Sequence, residues 1–323
     1  MKYSFYSNFS DRIRSFISYK NSLGYPYHDS SRVMRNFDVL CAEHFPQKTW
    51  LDQEIGMLWS ERKGNESNGG HRNRVMVLRE FAKYLCSIGE SAYMIPIQLT
   101  RKPKKPTPHI FSEEELTCFF RASDQFEPHK DSPIRHLVIP VFFRLVYCCG
   151  LRPAEARLLC VEHVDLQRGV IRIVESKGHK DRLVMLSDDI AHLLGRYQKA
   201  TKGVFPECQY LFPRYDGAGP YTKRWTEEMF WRCWEMAGVT EFCGPRPRVY
   251  DFRHTFATRC IYRWMQEGRD ADAMLPYLSA YMGHSSLDDT AYYIHLVPDL
   301  FSALACIPTA QYEALLPEVP YEN

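Results

Sequence analysis

The sequence is short of several features at once. No apolar run approaches the ~18 residues of a membrane-spanning helix, so no span is expected. The N-terminus, MKYSFYSNFSDRIRSF, lacks the apolar core of a secretory signal. Eleven cysteines contain no Cys-x-x-Cys, which leaves a zinc ribbon or a thioredoxin-type redox site without support. They are odd in number and single apart from Cys148 and Cys149. Reduced thiols of a cytosolic protein, mostly small core residues, are the expectation. There is no P-loop, no metal-type His/Cys cluster and no acidic triad, so the chemistry is expected to need no ATP, metal or other cofactor. No internal repeat or long low-complexity segment occurs.

What remains is an ordinary globular composition with a hidden asymmetry. The chain has 323 residues, 45% hydrophobic and 25% charged, a length that suits two domains. The net charge of +2 conceals a split. Residues 1–110 carry 17 Lys and Arg against 10 Asp and Glu, whereas residues 111–323 carry 24 against 29. A basic front part suggests a polyanionic partner.

That front part reads as four helices. Ser10-Asp11 can cap the first, with Ile13, Phe16, Ile17 and Leu23 as its apolar stripe and Gly24 and Pro26 near its end. The second runs from about Ser30 to His44, the third from about Leu51 to Lys63. GNESNGG at 64–70 reads as a loop. The fourth spans about His71 to Ile88, its outer face carrying Arg72, Arg74, Arg79 and Lys83; such a face is either solvated or set against phosphates. RKPKKPTPHI at 101–110 reads as an extended linker whose cations are Arg101, Lys102, Lys104 and Lys105. In FSEEEL, Ser112 and Glu115 have the spacing of a capping box. The domain boundary is expected near 105–110, dividing a helical domain of residues 1–105 from a second domain of 106–323.

The second segment mixes helix with a little sheet. An apolar helix over 134–149 is stopped by Gly150, and Pro153 opens another. GVIRIVESKGHKDRLVML at 169–186 reads as a β-hairpin with Ser176 to Lys180 at its tip. Helices are expected near 188–200, 224–237, 252–267, 271–282 and 287–296. Arg152 and Arg253 each sit at an expected helix start, where free N–H groups and the dipole favour an anion and a guanidinium adds a bidentate fork. Either arginine could instead pair with a local carboxylate, Glu155 for Arg152. On the hairpin tip, Lys177 is a candidate proton donor, with Lys180 and Arg182 as competitors. Tyr292 and Tyr293 are adjacent, so on a helix only one can face a shared site. A phenol can serve there as a covalent nucleophile or merely as packing.

Five fragments, taken together, carry a resemblance. GLRPAE at 150–155, KGHKDR at 177–182, YDFRHTFAT at 250–258, MGHSS at 282–286 and YIH at 293–295 occur in order, with nine positions from His284 to Tyr293. Over about 110–300 the chain resembles the tyrosine recombinases, the phage-integrase family. The basic helical segment before it resembles, more weakly, that family's SAM-like core-binding domain. The resemblance implies a mainly α fold with a small β-hairpin or sheet, an N-terminal DNA-binding domain and a C-terminal catalytic domain. It implies a site-specific recombinase that cuts and rejoins double-stranded DNA through a 3′-phosphotyrosyl intermediate and a Holliday junction. Tyr293 would attack, Arg152 and Arg253 hold the phosphate oxygens, Lys177 protonate the leaving oxygen, His284 donate to the phosphate, and Glu155 orient Arg152. Arg72, Arg74, Arg79, Lys83, Arg101, Lys102, Lys104, Lys105, Lys180 and Arg182 would contact DNA, the two domains gripping the duplex. Implied partners are duplex DNA, further copies up to a tetramer and accessory proteins, in a bacterial cytoplasm at the nucleoid. The tail after Tyr293, with Leu300, Phe301, Leu304, Leu315 and Leu316, would dock on a neighbouring subunit or on its own domain.

Two features depart from the family pattern. Tyr250 stands where histidine is usual, three residues before the second arginine, and would support the phosphate as a hydrogen-bond donor. The stretch between Arg253 and His284 is longer than in compact bacterial members, which points to a different subfamily, one borne on a mobile element. The rival readings are a type IB topoisomerase-like enzyme and a catalytically weak DNA-binding member of the same fold.

Overall fold

The computed structural model describes residues 3–24, 27–103, 106–174, 181–239 and 246–296. The chain forms two compact units, Met1–Pro106 and Thr107–Asn323.

The first unit is built from α1 (Ser10–Ser22), α2 (His28–His44), α3 (Gln53–Ser60) and α4 (Asn68–Ser87). Helical spacing brings Ile13, Phe16 and Ile17 of α1 inside. Leu23 falls just beyond the helix and stays half exposed. The cap expected of Ser10 and Asp11 does not form. Buried Asp38 of α2 holds the entry instead, accepting from the backbone N–H of Tyr6 at 2.7 Å and of Ser7 at 3.0 Å. Ser67 caps α4 by accepting from the Gly70 N–H at 3.0 Å, so the helix begins inside the stretch expected as loop. Aromatic rings fill the core: Phe37 lies 5.4 Å from Trp59 and Phe16 lies 5.3 Å from Phe81.

The outer face of α4 is less basic than its sequence implies. Arg74 turns inward: its guanidinium pairs with Glu66 at 2.8 Å, donates to the carbonyls of Trp59 and Glu61, and lies over the Trp59 ring. Arg79 is half-buried and donates to the Ile95 carbonyl. Arg72 is half-buried and donates to Thr100 Oγ1 at 2.9 Å. Lys83 is exposed and pairs with Glu80. Arg101 and Lys102 are exposed, while Lys104 and Lys105 lie outside the described residues.

The second unit contains α5 (Glu113–Ser123), α6 (Arg135–Cys148), α7 (Pro153–Arg157), β1 (Val164–Asp165), β2 (Val170–Ile173), β3 (Arg182–Met185), α8 (Asp188–Val204), α9 (Lys223–Met236), α10 (Asp251–Gln266), α11 (Ala271–Met282) and α12 (Asp288–Ala291). The capping box of α5 forms as its spacing requires, with Ser112 Oγ accepting from the Glu115 N–H and Glu115 accepting from the Ser112 N–H. The hairpin β2–β3 is antiparallel, with buried Ile171 opposite buried Val184. Its tip lies outside the described residues. A short β1 completes a three-stranded antiparallel sheet in the order β1-β2-β3. Phe119, Phe143, Phe230 and Phe252 pack ring against ring around α6. Of the nine described cysteines, all free, only Cys41, Cys149 and Cys233 are buried, fewer core thiols than expected.

The helix expected over 287–296 is broken. After the four residues of α12, i→i+3 bonds replace i→i+4: Tyr293 N–H to Thr290 O at 3.0 Å and Leu296 N–H to Tyr293 O at 3.1 Å. A 3₁₀ turn, Ile294–Leu296, follows. Tyr293 thereby enters a second core cluster with Ala257, Ile261, Leu275, Leu278 and Met282. Residues 297–323, including the proposed docking tail, lie outside the described residues.

Candidate active site at the end of α11

A helix C-terminus leaves carbonyls without intrahelical partners and carries the negative end of the dipole. At the end of α11, three successive carbonyls each accept from a different arginine. Tyr281 O takes Arg182 Nε at 2.8 Å, Met282 O takes Arg253 Nη2 at 2.6 Å, and Gly283 O takes Arg152 Nη2 at 2.7 Å. The arginines come from β3, α10 and the residue that precedes α7, far apart in sequence. Two glycines make the convergence sterically feasible. Gly150 (φ 57°) presents its carbonyl to Arg253 Nη1 at 2.6 Å, and a Cβ there would collide with the Phe256 ring. Gly283 (φ 65°) ends α11 and lies against Arg182, whose Cδ would be 3.1 Å from an added Cβ.

Glu155 ties the outer two arginines. It accepts from Arg152 Nη1 at 2.7 Å and from both terminal nitrogens of Arg182 at 2.8 and 2.7 Å. Burial alone would raise its carboxyl; the Arg182 and Arg152 guanidinia overrule it and hold the group at about 2. The orienting partnership of Glu155 with Arg152 is therefore present. Arg182, expected as a DNA contact or a rival to Lys177, is buried in this network, with only 7% of its side chain exposed.

Arg253 has no such carboxylate. It is fully buried, and among the described residues it donates to the two carbonyls and to His284 Nε2 at 3.1 Å, with the Tyr293 phenol also within its hydrogen-bonding reach. Its Nε is buried without a hydrogen-bond partner among the described residues. Burial and the neighbouring Arg152 charge both lower its affinity for its proton. A guanidinium only donates, so His284 Nε2 accepts, and the ring proton sits on Nδ1, which donates to Thr290 Oγ1 at 2.7 Å. Burial, then Arg253 and Arg152, push His284 down to about 4. In this arrangement His284 is neutral, and the nitrogen beside Arg253 is an acceptor.

Tyr293 completes the cluster. Its ring lies 6.0 Å from that of His284 and 5.5 Å from that of His254. Burial raises its phenol to about 12, with Arg253 pulling the other way. Tyr250 is 39% exposed and meets His254, one helical turn on, at 5.1 Å. The structure thus brings together Arg152, Glu155, Arg253, His284 and Tyr293, with Tyr250 alongside. Lys177 and Lys180 lie outside the described residues. Sequence reasoning missed Thr290, the Glu155–Arg182 tie and His254. Only His254 had a readable signal, the i,i+4 spacing from Tyr250. A separate trio, Cys160, Glu162 and His163, has donor atoms close enough to share a metal ion and includes none of these residues. No helix among the described residues is long and apolar enough to cross a membrane.

Comparisons with known proteins bear on the same region. Residues 110–299 match the model of the phage integrase family. A putative integrase/recombinase, y4rB of Sinorhizobium fredii strain NGR234, is 27% identical over 304 residues, spanning 91% of this chain and 95% of that protein. Tyrosine recombinase XerD of Pseudomonas aeruginosa is 29% identical over 195 residues, 59% of each chain. In fold, the chain is similar to the XerH site-specific recombinase bound to a palindromic difH substrate (TM-score 0.61, 21% identity, 86% of this chain and 78% of that one). It is also similar to the Tn1549 transposon integrase in complex with circular intermediate DNA (TM-score 0.62, 15% identity, 87% and 94%).

Proposed function

The chain belongs to the phage integrase family and is a site-specific tyrosine recombinase that breaks and rejoins DNA strands, and from that premise we propose how its residues carry the reaction. The observation that carries the reading is Arg253: a fully buried guanidinium that, among the described residues, has an unpartnered Nε and no carboxylate hydrogen-bonded to it, with Arg152 and Tyr293 beside it. An uncompensated buried charge is costly, and a phosphate would supply both the missing charge and the missing acceptor.

The scissile phosphate binds against Arg152 and Arg253, which stabilise the charge that develops on its non-bridging oxygens. Tyr293 attacks phosphorus and forms a 3′-phosphotyrosyl link. Lys177 gives a proton to the departing 5′ oxygen. His284 contributes a hydrogen bond to the phosphate once Nε2 carries a proton, and Tyr250 supports from the exposed side. Because the link conserves the phosphodiester, a 5′-hydroxyl from a second duplex reseals it without ATP. Strand exchange proceeds through a Holliday junction in a tetramer on two duplexes. Lys83, Arg101 and Lys102 contribute phosphate contacts from the first unit.

A nicked suicide substrate tests this reading. The wild-type protein is expected to accumulate a covalent DNA adduct in the presence of EDTA. Tyr293→Phe is expected to abolish the adduct while binding persists. Loss of the adduct in Tyr292→Phe, with Tyr293→Phe still active, would move the nucleophile by one residue. Relaxation of supercoils without recombinants from two marked sites would favour a topoisomerase-like role.

A further inference from the structure

Attack by Tyr293 requires that the phenol lose its proton, and none of the roles above receives it. Burial makes that loss harder. The Lys177 ammonium is already protonated in its role as acid. His284 Nε2 accepts from Arg253, and its Nδ1 is occupied with Thr290. One ring remains. His254 packs on Tyr293 at 5.5 Å and on Tyr250 at 5.1 Å, and its Nδ1 is buried with no hydrogen-bond partner among the described residues.

A buried imidazole nitrogen without a partner costs stability, because its hydration is lost and nothing replaces it. If the site needed only an aromatic wedge, phenylalanine would fill it without that cost. Orphaned polar groups of this kind mark either a trapped water or a functional task. Here the neighbour is the proposed nucleophile.

We propose that His254 is the proton acceptor for Tyr293: as the phenol turns to attack, its O–H proton passes to His254 Nδ1. The O–H bond breaks and the freed pair forms the bond to phosphorus. The bond from phosphorus to the 5′ oxygen breaks, and that oxygen takes its proton from Lys177. When the strand is resealed the proton returns from His254 to Tyr293. The ring is suited to this in its resting form because it is neutral. Burial depresses it to about 4, with Arg248 and Arg253 acting the same way and Asp251 opposing them. The phosphate, once bound, brings negative charge next to Arg253 and favours the imidazolium. The titratable and charged groups around the ring are Asp251, Arg248, Arg253, Tyr250 and Tyr293.

The inference rests on Tyr293 being the nucleophile, and the experiment separates the two. Single-turnover cleavage of the nicked substrate is measured at saturating DNA, from pH 5.5 to 10, for wild type, His254→Phe, His254→Gln and Tyr293→Phe. His254→Phe is expected to melt no lower than wild type, to bind DNA within about twofold, and to cleave on the order of 10²-fold more slowly at pH 7. Its rate should climb with pH towards the titration of the phenol, whereas the wild-type rate stays flatter. His254→Gln, which keeps a buried acceptor but no base, should show the same slope. Wild-type rate and pH profile in both variants, with Tyr293→Phe dead, would overturn the role of His254 alone. An adduct in Tyr293→Phe would overturn the nucleophile instead. A rate lost without any change in pH profile would reduce His254 to packing and also overturn the proposal.

Discussion

Each unit of this molecule buries an arginine, and the two are solved differently. Arg74 in the first unit is closed off. It has a carboxylate, two carbonyls and the face of an indole, so its charge is neutralised where it stands. Arg253 in the second unit is more deeply buried yet, among the described residues, donates to neutral acceptors alone, with its Nε left over. Burying an ion requires compensation, and full local compensation makes a structural element. Incomplete compensation, with the guanidinium held between one carbonyl of the α11 end and the Gly150 carbonyl, leaves room for the phosphate proposed above. The side chain is the same in both places; what differs is whether a carboxylate has been placed within reach.

The comparison can be broken by experiments of decreasing effect. The largest is Tyr293→Phe, which should remove covalent adduct entirely while leaving the melting temperature near wild type. Next is Arg253→Met. Cleavage should fall by on the order of 10³-fold, in line with losing a charged stabiliser of the transition state. Its stability should change less than that of Arg74→Met, because no carboxylate is stranded. Arg74→Met should lower unfolding free energy by about 3–5 kcal/mol by stranding Glu66. It should leave the rate of cleavage at saturating DNA unchanged; denaturant melts and adduct assays on the two variants would sort them, and equal behaviour would erase the distinction.

A fourth test uses acid. The Glu155 carboxyl sits at about 2 in the folded protein against an ordinary 4.5. The unfolded chain therefore takes up this proton first as pH falls. The stabilisation is complete above about pH 4.5 and is lost between there and about pH 2. Glu155→Gln should flatten this part of the stability profile of the second unit. The smallest effect belongs to the exposed cations. Arg101→Ala and Lys102→Ala should each weaken DNA binding modestly and lower its salt-dependence slope by about 1, if each meets one phosphate. An unchanged slope would remove that residue from the interface.

Local rules made much of this legible in advance. The capping box at Ser112 and Glu115, the stop at Gly150, the hairpin of β2 and β3 and the helices α6 to α11 depend on neighbours close in sequence, and these are where expectation and structure meet. Misreadings came where a distant partner decided. Ser10-Asp11 had the residues of a cap, but Asp38 holds that entry. The helix through Tyr293 had the composition to continue, but it gives way to i→i+3 bonds where Tyr293 packs with Ala257, Ile261 and Leu278 of other helices. Arg74 and Arg182 are indistinguishable in sequence from surface cations; Glu66 and Glu155 draw them inward.

The order of short motifs was sufficient for the family resemblance, and Arg152, Glu155, Arg253, His284 and Tyr293 of those motifs meet in the structure, whereas Thr290, His254 and the inward turn of Arg182 were not legible there. Which arginine is sealed and which is left waiting, which imidazole is an acceptor, and which phenol enters the shared cluster were decided only by tertiary packing. Those properties depend on the charge and hydrogen-bond partners around a buried group, and such partners arrive from other elements, 8 to 15 residues away for Arg74 and 29 to 103 for Arg253.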